Sequence, residues 1–133
     1  MSLSDTFIEV AEDCPADHAE VPPARDGRPT KAAIEYELIT GEPYGLTEDD
    51  IAFRTRAVMR DIPEVDWPAE RERFLSQKKP RLRVSALAKR YGWGIHIDSH
   101  GRVALVPFES AEYERLAADP ALTHVRAFRS SRA

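Results

Sequence analysis

The segment KRYGWGIHID, Lys89 to Asp98, holds two aromatic rings, two glycines, two cations and a histidine. If it runs into a strand, Ile95 and Ile97 point to one face while His96 and Asp98 point to the other. A histidine beside a carboxylate on the same face is the arrangement of a tuned general base. No nucleophile accompanies it in the sequence, so the plainer account is a strand histidine on a half-exposed face. Tyr91 and Trp93 offer pocket walls, and Lys89 and Arg90 offer charge for an anionic group. The candidate ligand-binding set is therefore Lys89, Arg90, Tyr91, Trp93, His96 and Asp98. The glycines do not form a dinucleotide loop, because the third glycine is missing and a strand follows instead of a helix. As structural residues, Gly92 would end a helix, Trp93 would enter the core and Gly94 would make room for a neighbour.

Other residues carry weaker signals. Cys14 and His18 have C-x3-H spacing, and His96 and His100 have H-x3-H spacing. Neither pair falls on an expected helix, where that spacing would bring two ligands to one face, so no metal and no cofactor are assigned. Eight cations between residues 71 and 90 (Arg71, Arg73, Lys78, Lys79, Arg81, Arg83, Lys89, Arg90) could track a phosphate backbone, with Tyr91 and Trp93 as stacking faces. No nucleic-acid fold signature accompanies them. Leu82 and Val84 alternate with Arg81 and Arg83, as on an edge strand. Glu9, Glu12, Asp13, Glu35 and Glu37 read as solvated surface, and Cys14 as an ordinary free thiol.

Charge is unevenly placed. Residues 1–69 carry 16 acids and 6 bases, residues 70–90 carry 2 and 8, and residues 91–133 carry 5 and 5. The acidic half and the basic middle would pair with each other, or the basic middle would meet an anionic partner. The 133 residues, 42% of them hydrophobic and 32% charged, fit one domain with a real core. A single cysteine excludes an internal disulfide, and no apolar run is long enough to cross a membrane. The default compartment is the cytoplasm.

Several elements must position these groups. Thr6–Ala11 reads as a strand. A proline-rich irregular segment follows at about 14–29. Thr30 caps a helix over KAAIEYELIT, ended by Gly41 as a C′ residue with Pro43 following; a strand is the competing reading of IEYELI. Thr47 and Asp50 form a capping box for the next helix, with Ile51, Thr55, Val58 and Ile62 as its stripe. Asp66 would cap a third helix with Trp67 and Pro68 in its first turn and Trp67, Phe74 and Leu75 on one face; Lys78, Lys79 and Pro80 would end it. Ser85 caps the short ALAKRY helix. Residues 93–108 form a hairpin around Ser99-His100-Gly101. Ser110 caps AEYERLAAD, Pro120 stops it, and THVRAF is a last strand before the basic tail RSSRA. The expected class is α+β: a small antiparallel sheet that includes the 93–108 hairpin, covered by four or five helices.

The segments TFIEVAEDCP, EVPP, PYGLTEDD and KRYGWGIH, with the arginine-rich end, resemble a family of short bacterial proteins known only as a domain of unknown function. The resemblance implies a stand-alone bacterial cytoplasmic domain and supplies no catalytic residue. The expected function is non-enzymatic: binding of an anionic small molecule or protein partner around Lys89–Asp98. Nucleic-acid binding through residues 71–90, and an enzyme using His96 as acid or base, are the alternatives.

Overall fold

The computed structural model describes residues 4–23, 27, 30–77 and 82–128. Lys78, Lys79 and Pro80 as helix terminators, Arg81, and the tail RSSRA lie outside the described residues. The strands are β1 (Thr6–Glu9), β2 (Trp93–Ile97), β3 (Val103–Pro107) and β4 (Thr123–Arg126). The helices are α1 (Lys31–Gly41), α2 (Glu48–Met59), α3 (Trp67–Leu75), α4 (Ala86–Lys89) and α5 (Ala111–Ala117). The fold is α+β.

The sheet order is β3-β2-β1-β4. The hairpin β2–β3 turns through Gly101 at φ +76°, and β2 pairs antiparallel with β1. The last strand breaks the antiparallel pattern. β4 lies parallel to β1, with Thr123 opposite Thr6 and Arg126 opposite Glu9. The cause is the connection: a helix between β3 and β4 returns the chain to its starting end, so β4 takes the direction of β3, which is also that of β1. The sheet is therefore mixed.

Period-2 alternation divides the side chains between two faces. Ile8, Ile95, Ile97 and Val103 pack on one face with Ile39 of α1 and Leu87 of α4. Phe7 and Val106 pack on the other with Tyr113 and Leu116 of α5. Gly94 belongs to this second face. A Cβ there would stand 2.7 Å from the Tyr113 ring and 2.8 Å from the Phe7 ring. Those rings meet edge to face at 5.0 Å, and the Tyr113 hydroxyl accepts the Val10 N–H at 3.0 Å.

The helices build outward from the first face. α1 lies on the sheet, α2 on α1, and α3 on α2. The helix reading of KAAIEYELIT holds, with Thr30 Oγ1 accepting the Ala33 N–H. Gly41, however, is the last helical residue; the left-handed turn falls on Tyr44, at φ 58°. The capping box forms as read, with Thr47 Oγ1 accepting the Asp50 N–H and Asp50 accepting the Thr47 N–H. In α2, Ile51 and Thr55 are buried, but Val58 is half exposed and Phe53 turns toward α3. Asp66 makes no side-chain cap, and α3 starts on its proline alone. No residue of α3 is fully buried. Trp67 and Phe74 hold it to Phe53 at 5.7 and 6.2 Å between rings, and Arg71 reaches Asp50 at 2.8 Å.

The packing of α5 on the sheet depends on Gly94 having no side chain. Gly94→Ala should lower stability by about 1–3 kcal/mol through overpacking. Urea unfolding should show a lower midpoint with an unchanged slope; an unshifted midpoint would contradict this packing account.

Candidate ligand-binding site

The segment KRYGWGIH has a structural explanation. Gly92 adopts φ +77°, and a Cβ there would lie 2.5 Å from the His18 carbonyl oxygen. The Tyr91 carbonyl accepts the Glu20 N–H at 2.8 Å, and Trp93 Nε1 donates to the Glu20 carbonyl at 2.8 Å. The described part of the proline-rich segment is thus tied to the start of β2. Trp93 stacks at a tilt on Tyr36 of α1, at 5.4 Å, on the first face of the sheet. His96 lies on the second. The structure therefore separates Trp93 and Tyr91 from His96 and Asp98. Lys89 ends α4 half-buried, and Arg90 follows as its C-cap.

His96 has a partner that spacing did not suggest. The Tyr44 hydroxyl lies 2.7 Å from His96 Nδ1, with the rings edge to face at 5.5 Å. Tyr44 reaches this position because its left-handed backbone is fixed by its N–H to the Val103 carbonyl, at 2.9 Å. The Asp98 carboxylate is occupied by the hairpin turn, accepting the N–H groups of His100 and Arg102, both at 2.9 Å. Burial pushes the His96 pKa below its ordinary value, although the negative charges of Asp98, Glu112 and Asp119 pull it back. Burial likewise raises the Tyr44 hydroxyl, with Glu112 and Asp98 adding to the effect. Apart from Arg115, which pairs with Glu112, the charges acting on His96 are negative. That surrounding does not attract an anion. Among the described residues, no group of three or more His, Cys, Asp or Glu side chains is placed to hold a metal ion. Nor is any described helix long and apolar enough to cross a membrane.

The basic stretch is partly spent inside the molecule. Arg71 pairs with Asp50 of the acidic half, and Arg73 with Glu70. Arg83 donates to the Arg126 carbonyl and stacks over Phe128 at 4.7 Å.

A cavity of about 530 Å³ lies between α1, α2, α3 and the 3-10 turn Leu82–Val84. Its α2 wall is Ala52, Thr55, Arg56, Met59 and Arg60, spaced i, i+3, i+4, i+7 and i+8 along one helical face. From α1 come Lys31 and Glu35, one turn apart. Phe74, Leu82 and Val84 close the remaining side, and the Leu82 N–H is held by the buried Glu48 carboxylate at 3.1 Å. Three cations thus share a cavity with an apolar lining. Arg56 packs its guanidinium over the Phe74 ring at 5.3 Å.

Two buried polar groups distinguish this cavity. Glu35, expected on the solvated surface, is only 3% exposed. It lies on the α1 face that meets α4, and Ser85 Oγ donates to its Oε1 at 2.8 Å while capping α4 through the Leu87 N–H. Burial pushes the Glu35 carboxyl above its ordinary value; the Ser85 hydroxyl and Lys31 oppose this without cancelling it. A raised pKa means a neutral carboxyl over a wider pH range. Thr55 is 1% exposed, and among the described residues its Oγ1 has no hydrogen-bond partner. Leaving such a hydroxyl unpaired costs about 1–3 kcal/mol, so it calls for an explanation.

Over residues 1–133 the chain matches the profile of a "Family of unknown function (DUF6157)". The chain belongs to the DUF6157 family. No curated protein and no solved structure matches it. Family membership therefore names no reaction for this DUF6157 protein, and its chemistry must be argued from the cavity and from the His96 face.

The sequence reading missed Tyr44, Glu35 and the α2 stripe 52-55-56-59-60. The stripe was the available signal: Arg56, Met59 and Arg60 recur at helical spacing beside Ala52 and Thr55. No comparable signal pointed to Tyr44, whose role comes from its backbone conformation.

Two titrations check these environments. The native state binds a proton at Glu35 more tightly than the unfolded chain does, so stability should fall as pH rises past the ordinary glutamate value of 4.5. Glu35→Gln should flatten that dependence and stabilise the protein relative to wild type at neutral pH; parallel curves for the two proteins would refute a raised Glu35 pKa. For His96, NMR titration should give a pKa below the ordinary 6.5. Tyr44→Phe removes the hydrogen bond but keeps the ring's cover and should leave the pKa low; Tyr44→Ala should let it climb. Equal values in all three proteins would show that Tyr44 does not shield the imidazole.

Proposed function

We propose that this protein is a non-enzymatic binding domain for a small anionic molecule, held in the cavity between α1, α2 and α3. The observation that carries the reading is the grouping of Lys31, Arg56 and Arg60 around one cavity of about 530 Å³ with an apolar lining. A concave, mostly apolar space of a few hundred Å³ with a few polar groups is the usual form of a small-molecule site. Cations at its edge favour a negatively charged occupant. The reading keeps the anionic ligand expected from the sequence but seats it away from His96, on which the negative charges of Asp98, Glu112 and Asp119 act against the one positive charge of Arg115.

A thermal-shift panel of aliphatic monocarboxylates, dicarboxylates and phosphate monoesters should yield stabilisers. At 100 times its dissociation constant, a ligand of the native state adds about 2.7 kcal/mol. Arg56→Ala combined with Arg60→Ala should abolish the shifts, whereas His96→Ala should preserve them. A panel without any stabiliser, or hits indifferent to the arginine pair, would end this reading. Hits lost only with His96→Ala would return the site to the Lys89–Asp98 surface.

A further inference from the structure

Resting on that reading, we infer that the ligand is a soluble phosphate monoester on a small apolar body, its phosphate held by Lys31, Arg56 and Arg60. These three cations line one cavity, and none of them forms an ion pair with a described residue. Other arginines do find carboxylates: Arg71 takes Asp50, Arg73 takes Glu70, Arg115 takes Glu112 and Arg126 takes Glu9. The chain carries 23 acids against 19 bases, so carboxylates are not scarce. Arg56 and Arg60 stand one turn apart on α2, a spacing at which like charges repel. The α2 dipole accounts for cations at its C-terminal end, but Lys31 opens α1, where the dipole disfavours a cation. Among the described residues of the lining, Glu35 is the one acid. It is 3% exposed, takes the Ser85 hydroxyl and pairs with none of the three cations.

Three unpaired cations suit a group with more than one negative charge. A phosphate monoester carries about −1.5 to −2 near neutral pH and three acceptor oxygens. It can accept from two guanidinium groups and an ammonium together, whereas a carboxylate brings one charge and two oxygens. Arg56 is half-buried, and its guanidinium lies over the Phe74 ring at 5.3 Å. The ring holds one face of that fork and leaves its N–H edge for an oxyanion. A dicarboxylate would place its second charge against the side chains of Met59, Phe74 and Val84, which offer no donor. All three side chains keep some exposed surface, and Met59 is 52% exposed, so an apolar body would cover them favourably. Inorganic phosphate would satisfy the cations but leave that wall in water. The same headgroup occurs on lipids. A concave space between three helices and a turn encloses a whole small molecule, and this favours the soluble source.

Isothermal titration with hexyl phosphate, hexyl sulfate, hexanoate, adipate and inorganic phosphate tests this. At about pH 8 hexyl phosphate should bind about tenfold tighter than each of the others. Its affinity should fall severalfold by about pH 5.5, as the ester takes up its second proton near pH ~6, while hexyl sulfate, which keeps a single charge, should not change. Lys31→Gln and Arg60→Gln alter exposed side chains and should melt no lower than wild type without ligand, which verifies that they fold. Each should weaken hexyl phosphate about tenfold and shrink its lead over hexyl sulfate. The inference is overturned if hexyl phosphate binds no tighter than hexyl sulfate or hexanoate, if its lead survives both substitutions, or if inorganic phosphate equals it. Sedimentation with phosphatidic acid vesicles separates the two sources. The protein should stay in the supernatant, and sedimentation abolished by Lys31→Gln would assign the phosphate to a lipid and overturn the soluble ligand. Should the class fail while the anion panel gives arginine-dependent hits, the anion-binding reading stands. An empty panel together with five silent probes overturns both.

Discussion

Phe7, Ile8, Ile95 and Ile97 have no exposed surface, and they sit on two adjacent strands whose side chains alternate between faces. Burying β1 and β2 on both sides is the constraint that the remaining structure satisfies. One face needs a helical layer, which α1 and α4 supply; the other needs α5, whose Tyr113 ring rests in the space left by Gly94. Each buried isoleucine or phenylalanine is worth about 1.5–3 kcal/mol of transfer free energy, so the central strand pair contributes several such increments at once. The short strands and the four-residue α4 persist because they are packed here; a helix that short has no stability in isolation.

The same constraint moves functional potential outward. A sheet sealed on both faces leaves little room for a ligand at its centre. α2 packs on α1, and α3 packs on α2 through Phe53, Trp67 and Phe74. Between these outer layers the packing is incomplete, and the cavity forms there. Its polar groups are held from the inside: Ser85 both caps α4 and donates to Glu35, and Glu48 holds the Leu82 N–H. One serine thus links the layer beside the sheet to the cavity lining. On the opposite side, Tyr44 and His96 close the end of the hairpin with a polar pair set among carboxylates.

Much of the fold was legible in local chemistry. Thr30, Thr47, Ser85 and Ser110 each cap the helix that follows, because a short side-chain oxygen next to an unpaired N–H is a local event. Gly92 and Gly101 take positive φ where a helix end and a hairpin turn require it. The opposition of Ile95 and Ile97 to His96 followed from strand geometry alone. The failures share a cause. Asp66 had the right type for a cap but a partner never came within reach. Glu35 looked like a surface carboxylate because Glu37 and Lys31 surround it in sequence; its burial depends on α4, fifty residues away. Trp93 and His96 are three residues apart and on opposite faces, so nearness in sequence overstated their cooperation. Tyr44 was invisible because the chain put its left-handed turn on a tyrosine and kept Gly41 in the helix.

By itself, then, the amino-acid sequence determined the elements, their caps, the hairpin and the face each strand residue takes, since these rest on interactions within a few residues or on a fixed side-chain period. Only the tertiary structure decided that β4 joins β1 in parallel, that KRYGWGIH anchors the proline-rich segment, and that Glu35 and Thr55 meet Arg56 and Arg60 around one cavity. Those outcomes depend on which layers come together and how completely they fill space. Packing of that kind is a property of distant residues jointly, and no local pattern encodes it.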